Sequence, residues 1–344
     1  MVRVEFSNMG YTCFDENNHF VYSEDATHEF LFEYLTKDWS NITTLFDEYF
    51  SKRLDITNWE LKNFHAEDED KRDFLKIQKE MESIHPFYKY NGNYVISTEI
   101  AEYFNQLLCY CNHTIDENDY AHIITNLLPS EVIHLPSDFY DANYQDYCKR
   151  VGKSIDERQE TFIAVYEPTW LSNERSTQTI ISDMLYYILD ITTQEGLEKL
   201  SIPQRAFLYE SVNYFNLNSF SVKAKASFVP LTLTDGSNQT ENPHFSFGKL
   251  CYLNWTDVKN NGLPSDKKEL FESALAYVSS QKNTTSFLQY EIDDLFQLLY
   301  LEIVSMVNAN IMVRKCKNCG KYFVVSNRKI AYCDRIYESG KRCS

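Results

Sequence analysis

Glycine and proline are scarce in this chain: nine and eight among 344 residues, against ordinary usage of about 7 % and 5 %. So few turn-formers argue against a many-turned β sandwich or barrel and for long helices. Long apolar runs are also missing. No stretch approaches the 18 uncharged apolar residues that read as a membrane span. The start, MVRVEFSNMGYTCF, has no basic segment followed by an apolar one, so it does not read as a secretory signal. Nine cysteines, an odd number, without such a signal are the pattern of a reducing compartment, and a cytoplasmic location is expected. Several enzyme motifs are absent too. There is no G-x-S-x-G, the eight histidines are dispersed, and none forms H-E-x-x-H. Val151-Gly152-Lys153-Ser154 contains GKS, but a phosphate loop needs glycine five residues before Gly152, and Tyr147 stands there.

Aromatic residues are plentiful, with 23 Phe, 25 Tyr and 4 Trp, and that much ring surface belongs to a folded protein. The net charge of −17 is unevenly spread. From Ile311 onward nine Lys and Arg face two acids, a net of +7, while the preceding 310 residues carry 24 bases and 48 acids, a net of −24. An acidic body is a poor surface for nucleic acid, whereas the tail is a local basic one.

That tail also holds four cysteines, spaced Cys316-x2-Cys319-x13-Cys333-x9-Cys343. Two close cysteines, an aromatic β-rich segment and two more cysteines read as a zinc ribbon. Structural Zn²⁺ takes four ligands in a tetrahedron, and thiolates supply them with no open position. Gly320, directly after the second cysteine, allows a backbone conformation that a Cβ resists. Tyr322–Val325 then reads as a strand, Ser326-Asn327 as a turn, and Ala331-Tyr332 as its return to Cys333. The competing readings are a disulfide or a redox pair. A thioredoxin-like redox pair sits at a helix N-terminus, whereas here a glycine and a strand follow, and two further cysteines need a role. Cys109, Cys111 and His113 form a second cluster. On a helix 109 and 113 share a face and 111 does not, so core cysteines near a helix end are the better reading.

Along the chain, Val2, Val4 and Phe6 alternate as a strand, and Tyr11–Phe14 with His19–Tyr22 flank a turn as a hairpin. Stripes at Ile42, Leu45, Phe46, Tyr49 and Phe50, and at Phe74, Ile77 and Met81, predict helices, the second ending before Pro86. The charge run Ala66–Asp73 reads as a solvated face or helix end. Asn91-Gly92-Asn93 reads as a hairpin turn, with Ser97 or Thr98 capping the next helix. Pro129 and Pro136 bound a looser region near 129–155, the candidate internal boundary. A helix over Ile180–Leu189 and another opened by Ser201 and Pro203 follow. Phe220–Phe228 alternates as a strand, Asp235–Pro243 is a polar loop, and Lys249–Trp255 is its partner strand. The last helical segment spans about Thr285 to Asn310. No Gly or Pro occurs between Pro264 and Gly320, so the ribbon is expected to dock rather than hang from a linker. The fold expected is α+β, mainly helical: an acidic body over 1–310 with small β elements, and a docked zinc ribbon over 311–344.

The segment KCKNCGKYFVVSNRKIAYCDRIYESGKRC resembles the C-terminal signature of an uncharacterised Gram-positive bacterial family of unknown function. Its pattern is K-C-x-N-C-G-x-Y-F, a basic turn, Y-C-D-R and a later cysteine. The matching positions are Cys316, Asn318, Cys319, Gly320, Tyr322, Phe323, Arg328, Tyr332, Cys333, Asp334, Arg335 and Cys343. The resemblance implies a basic tail after the fourth cysteine, whereas this sequence ends at Ser344. A more distant likeness is to the bacterial CGNR zinc-finger regulators, although Asp334-Arg335-Ile336-Tyr337 follows Cys333 in place of that tetrapeptide. Neither resemblance implies a known activity. Three function classes follow from the residues. The first is nucleic-acid association or regulation through Lys321, Tyr322, Arg328, Lys329, Tyr332, Lys341 and Arg342. The second is a protein-interaction or purely structural ribbon, whose bases offset the −2 charge of a zinc tetrathiolate. The third is an enzyme with a site assembled from distant residues. Zinc is the one cofactor expected, and no membrane partner is.

Overall fold

The computed structural model describes residues 2–7, 10–17, 19–53, 68–110, 114–128, 138–151, 169–193, 196–212, 222–227, 255–280, 287–337 and 340–344. The elements are mostly α-helices joined by small antiparallel sheets, and the chain divides into two compact units, one of residues 1–32 with 184–344 and one of 33–183.

The first unit is built on a five-stranded antiparallel sheet. Its strands are β1 (Val2–Ser7), β2 (Gly10–Phe14), β3 (Phe20–Asp25), β4 (Lys223–Ser227) and β5 (Phe287–Ile292), in the order β3-β2-β1-β5-β4. The turn from β2 to β3 is held by Asp15, whose carboxylate accepts from the N–H groups of Asn17 and His19 at 2.9 and 2.8 Å. Val2, Val4, Tyr11, Cys13 and Tyr22 are buried, which fixes the register, because a one-residue slip would turn that set to the opposite face. Short helix α1 (Glu29–Tyr34) follows β3, and the Glu24 carboxylate accepts from the backbone N–H of Glu29 and Phe30 at its start.

The second unit contains α2 (Ser40–Arg53), α3 (Asp68–Ile84), α4 (Tyr88–Tyr110), α5 (Glu117–Leu127), α6 (Phe139–Val151) and α7 (Thr169–Met184) up to Asp183. Its core is ring-rich. Trp170 meets Trp39 and Tyr88 edge-on at 6.1 and 5.6 Å, and Phe50 stacks on Tyr103 at 3.9 Å. Buried Glu99 of α4 accepts from the backbone N–H of Thr169 and Trp170, which have no partner inside α7.

Back in the first unit, α7 runs into a π-helical turn at Leu185–Leu189, followed by α8 (Ile202–Val212). Ser201 and Gln204 form a reciprocal cap at the start of α8: the Gln204 amide oxygen accepts from Ser201 N–H at 2.9 Å, and Gln204 N–H reaches Ser201 Oγ at 3.4 Å. Then come α9 (Trp255–Asn261), α10 (Lys268–Ser280) and α11 (Leu295–Asn308). The ribbon strands are β6 (Met312–Lys315), β7 (Tyr322–Val325), β8 (Ile336–Tyr337) and β9 (Lys341–Arg342). No described helix is long and apolar enough to cross a membrane.

Three sequence expectations need correction. Asn91-Gly92-Asn93 is not a hairpin turn, since α4 runs through it, and Ser97 and Thr98 lie inside that helix rather than capping it. Burial recurs at 88, 92, 96, 99, 100, 103 and 107, a helical period that tertiary packing enforces over the turn-forming asparagines. The last helix begins at Leu295, not near Thr285; Leu288 and Ile292 belong to β5, and the Asp294 side chain caps α11 by accepting from Gln297 N–H at 2.8 Å. On its described side β4 pairs with this β5, and Trp255 opens a helix. Finally, β7 pairs with β6 upstream, not with Ala331-Tyr332. The polar loop at 235–243, residues 249–254, the motif remainder at 152–154 and residues 111–113 of the Cys-His cluster lie outside the described residues. So does much of the 129–155 boundary region, within which α6 lies.

Candidate metal centre

The ribbon starts from a hairpin whose register pairs Met312 with Val325 and Lys315 with Tyr322. Its turn is the Cys-x2-Cys-Gly segment. Cys316 N–H donates to Lys321 O, and Gly320 N–H to Cys316 O, both at 2.9 Å. Gly320 takes φ +71°, and a Cβ there would meet nothing within 4 Å, so glycine is wanted for the backbone angle and not for space. The downstream cysteines are brought in by separate tethers. Lys317 N–H donates to Ala331 O at 3.1 Å, which sets Cys333 beside the knuckle. Cys343 is held by three contacts: pairing of β8 with β9, its N–H to Arg335 O at 2.9 Å, and the Asn318 amide donating to its carbonyl at 2.8 Å. A residue near the chain's last position thus has a defined place, and Asn318 of the resemblance has a structural task.

The four Sγ atoms lie within 4.8 Å of one another, and Cys316, Cys333 and Cys343 are buried. Cys319 and Cys333 Sγ are 3.7 Å apart. A tetrahedron of Zn–S bonds of about 2.3 Å has sulfur–sulfur edges of about 3.8 Å, whereas a disulfide needs about 2.05 Å. The geometry therefore fits four thiolates around one ion and does not fit a disulfide between those two. Burial pushes the Cys316 thiol up, but N–H groups of Cys319, Cys333 and Asn318 directed at its sulfur bring it down to about 6. Such N–H···S contacts stabilise the thiolate, the form that ligates metal. Burial raises Cys333, and burial followed by the neighbouring thiols raises Cys343 to about 12. These four cysteines could hold a metal ion.

The ribbon is docked on its unit. Its small core of Cys316, Phe323, Val325, Cys333 and Cys343 also takes in Ile191, just after the π-helical turn. Ile191 N–H donates to Val313 O at 3.0 Å. Buried Tyr322 packs on Phe32 with ring centroids 6.3 Å apart, and Lys315 Nζ lies 5.0 Å from the centre of the same ring. Arg335 donates to Glu29 at 3.2 Å and to Tyr322 O at 2.8 Å.

The sequence named seven residues for nucleic acid, and the structure separates them. Arg328, Lys329, Tyr332, Lys341 and Arg342 are exposed, and Lys321 is half-buried. Tyr322 is only 4 % exposed and offers no face for stacking. Sequence reasoning missed the contacts of Arg314, whose guanidinium donates to the carbonyls of Arg328 and Ile330 at 3.1 and 2.7 Å and so holds the turn before Cys333. It also missed a buried pair, His28 and Glu302, in the same unit. These residues are 274 positions apart and carry no local signal.

No curated protein and no solved structure matches the chain. The model of a family of unknown function (DUF6076) matches residues 269–340, so the chain is similar to that family from α10 through the third cysteine of the ribbon, over about a fifth of its length.

Proposed function

We propose that this is a zinc-binding protein whose ribbon, closed by one structural Zn²⁺ on Cys316, Cys319, Cys333 and Cys343, presents a basic turn to nucleic acid. The observation that carries this reading is a division among the bases. Arg314, Lys315 and Arg335 are engaged in the ribbon's own contacts, while Arg328, Lys329, Lys341 and Arg342 are exposed, as is the ring of Tyr332. Cations beside an open ring suit backbone contact with base stacking, a mode that tolerates many sequences. The ion itself would supply charge and a fold constraint, since four thiolates leave no position for water or substrate.

The test joins metal analysis to binding. Protein purified under reducing conditions should carry about one zinc per chain, and the paired changes Cys316→Ser and Cys319→Ser should remove it. Zinc-loaded protein should bind single-stranded probes weakly, and if about four phosphates are contacted, log K falls against log[salt] with a slope of roughly −3 to −4. Reversing charge with Arg328→Glu and Lys329→Glu should flatten the slope while zinc stays. Full zinc in the cysteine double variant would sink the metal assignment. No binding to single- or double-stranded probes at low salt would sink the nucleic-acid reading. A second reading would then stand, in which the ribbon is a structural closure for its unit, and the contacts of Tyr322 with Phe32 and Arg335 with Glu29 favour it.

A further inference from the structure

His28 has an unusual backbone. Its φ is +55°, a left-handed conformation uncommon for a residue with a Cβ. Such outliers persist where the surroundings over-determine them, and they gather at ligand sites. Here the surroundings are explicit. His28 N–H donates to Asp25 O at 3.2 Å, its carbonyl accepts from Phe32 N–H at 3.1 Å, and its Nδ1 meets Glu302 Oε1 at 2.7 Å. The imidazole is about nine-tenths or more buried and the Glu302 side chain is wholly so. A carboxylate on one ring nitrogen fixes the ring's orientation and leaves the other nitrogen to act. Nε2 has no partner among the described residues.

His28 also lines a cleft of about 340 Å³ between the sheet and α11. Phe6 of β1, Leu288 and Tyr290 of β5, and Leu301 and Val304 of α11 give it apolar walls, and Ser305 and Asn308 of α11 add polar groups. Phe6 and Tyr290 stand edge-on at 5.7 Å, and the rim residues Leu288 and Val304 are 52 % and 36 % exposed. An apolar cleft of ~300 Å³ or more with few polar groups is the usual form of a small-molecule site.

The chemistry of the polar end narrows the ligand. If Glu302 is ionised, it accepts from Nδ1–H and Nε2 is an acceptor. If Glu302 keeps its proton, the bond reverses and Nε2–H is a donor. Burial raises the Glu302 carboxyl and the His28 bond opposes that. A hydroxyl group can meet either, because it donates and accepts. An anion is disfavoured, since no Lys or Arg stands among the described residues that line the cleft. A metal is disfavoured because, among the described residues, only the four ribbon cysteines converge as a group of three or more ligands.

We propose that this cleft binds a neutral small molecule with an apolar body and one hydroxyl group, the hydroxyl on His28 Nε2 and the body against Phe6, Leu288, Tyr290, Leu301 and Val304. A compound of about ten to fifteen heavy atoms suits a cleft at the small end of the usual range.

The probe is 4-propylphenol, titrated into the zinc-loaded full chain by calorimetry and by imidazole ¹⁵N resonances, with its methyl ether, 4-propylanisole, as the comparison. The phenol should bind at least tenfold more tightly than the ether and move the His28 signals. Val304→Trp, at the partly exposed rim, should abolish binding with the far-ultraviolet circular dichroism unchanged. His28→Asn, which keeps a residue suited to the left-handed backbone, should bring the phenol down to the ether's affinity. The proposal is overturned if the phenol does not bind at millimolar concentration, if phenol and ether bind equally, or if Val304→Trp leaves binding intact.

Discussion

Replacing Tyr322 by Ala tests whether the ribbon shares a core with the unit it sits on. The Tyr322 ring is 4 % exposed, packs on Phe32 at 6.3 Å and lies beneath Lys315. Truncating a buried aromatic side chain typically costs about 3–5 kcal/mol, from lost transfer free energy and the cavity left behind. Tyr332 supplies the internal comparison, being the same residue type in the same ribbon but 43 % exposed, so Tyr332→Ala should cost less than about 0.5 kcal/mol. Arg335→Ala should fall between, at about 1–2 kcal/mol, because it removes a half-exposed ion pair and one hydrogen bond to a carbonyl. Urea unfolding at fixed zinc and pH gives the three values. Trypsin gives an independent reading at Arg314 and Lys315, both within β6. When opening is fast relative to cleavage, the rate follows the open population, so Tyr322→Ala should raise cleavage about 100- to 5,000-fold. If Tyr322→Ala and Tyr332→Ala cost the same, and zinc-loaded wild type is already cut rapidly at these residues, the ribbon is a tethered module and the packing argument is wrong.

Two further perturbations probe the β-strand end of this unit. Burial first, and then the nearby Glu302 carboxyl, push Glu24 from its ordinary 4.5 to about 8, against the two backbone N–H groups it accepts from. The folded chain therefore holds this proton more tightly than the unfolded one, and the stabilisation present below about pH 4.5 is lost as pH rises through about 8. Glu24→Gln should remove that part of the pH dependence, measured as urea midpoints at pH 5 and pH 8; an unchanged difference between the two would refute the assignment. At Gly10, φ is +117° and a Cβ would lie 1.9 Å from Glu24 O, so Gly10→Ala should cost more than about 2 kcal/mol in thermal or urea unfolding. A loss below about 0.5 kcal/mol would mean that the β2–β3 pairing relaxes around it.

How much of this was legible in the residues depended on whether the signal was local. Four cysteines with a glycine after the second announce their geometry within 28 residues, because a knuckle turn and its ligands are set by short-range backbone constraints. Amphipathic stripes at Ile42–Phe50 and Phe74–Met81, and the helix start at Ser201 and Pro203, were legible for the same reason: each is decided within a few turns of chain. The expected hairpin at Asn91–Asn93 shows the limit. Those residues favour a turn locally, and only packing along α4 determines that the helix continues. The pairing of β5 with β1 and β4 was hidden because Leu288 and Ile292 also satisfy a helical spacing, and the choice rests on strands far away in sequence. The turn from Ser326 to Tyr332 carried its bases openly, but which cations face outward was decided by Arg314 reaching back to Arg328 and Ile330. His28 and Glu302 were not legible at all. A lone histidine after β3 and a lone glutamate in an apolar helix each read as unremarkable, and only the tertiary fold sets them 2.7 Å apart beside a cleft. Local chemistry therefore specified the four-cysteine cluster, whereas long-range packing specified the pairing of the sheet and the buried pair, because loop closure over hundreds of residues leaves no periodic trace in the chain.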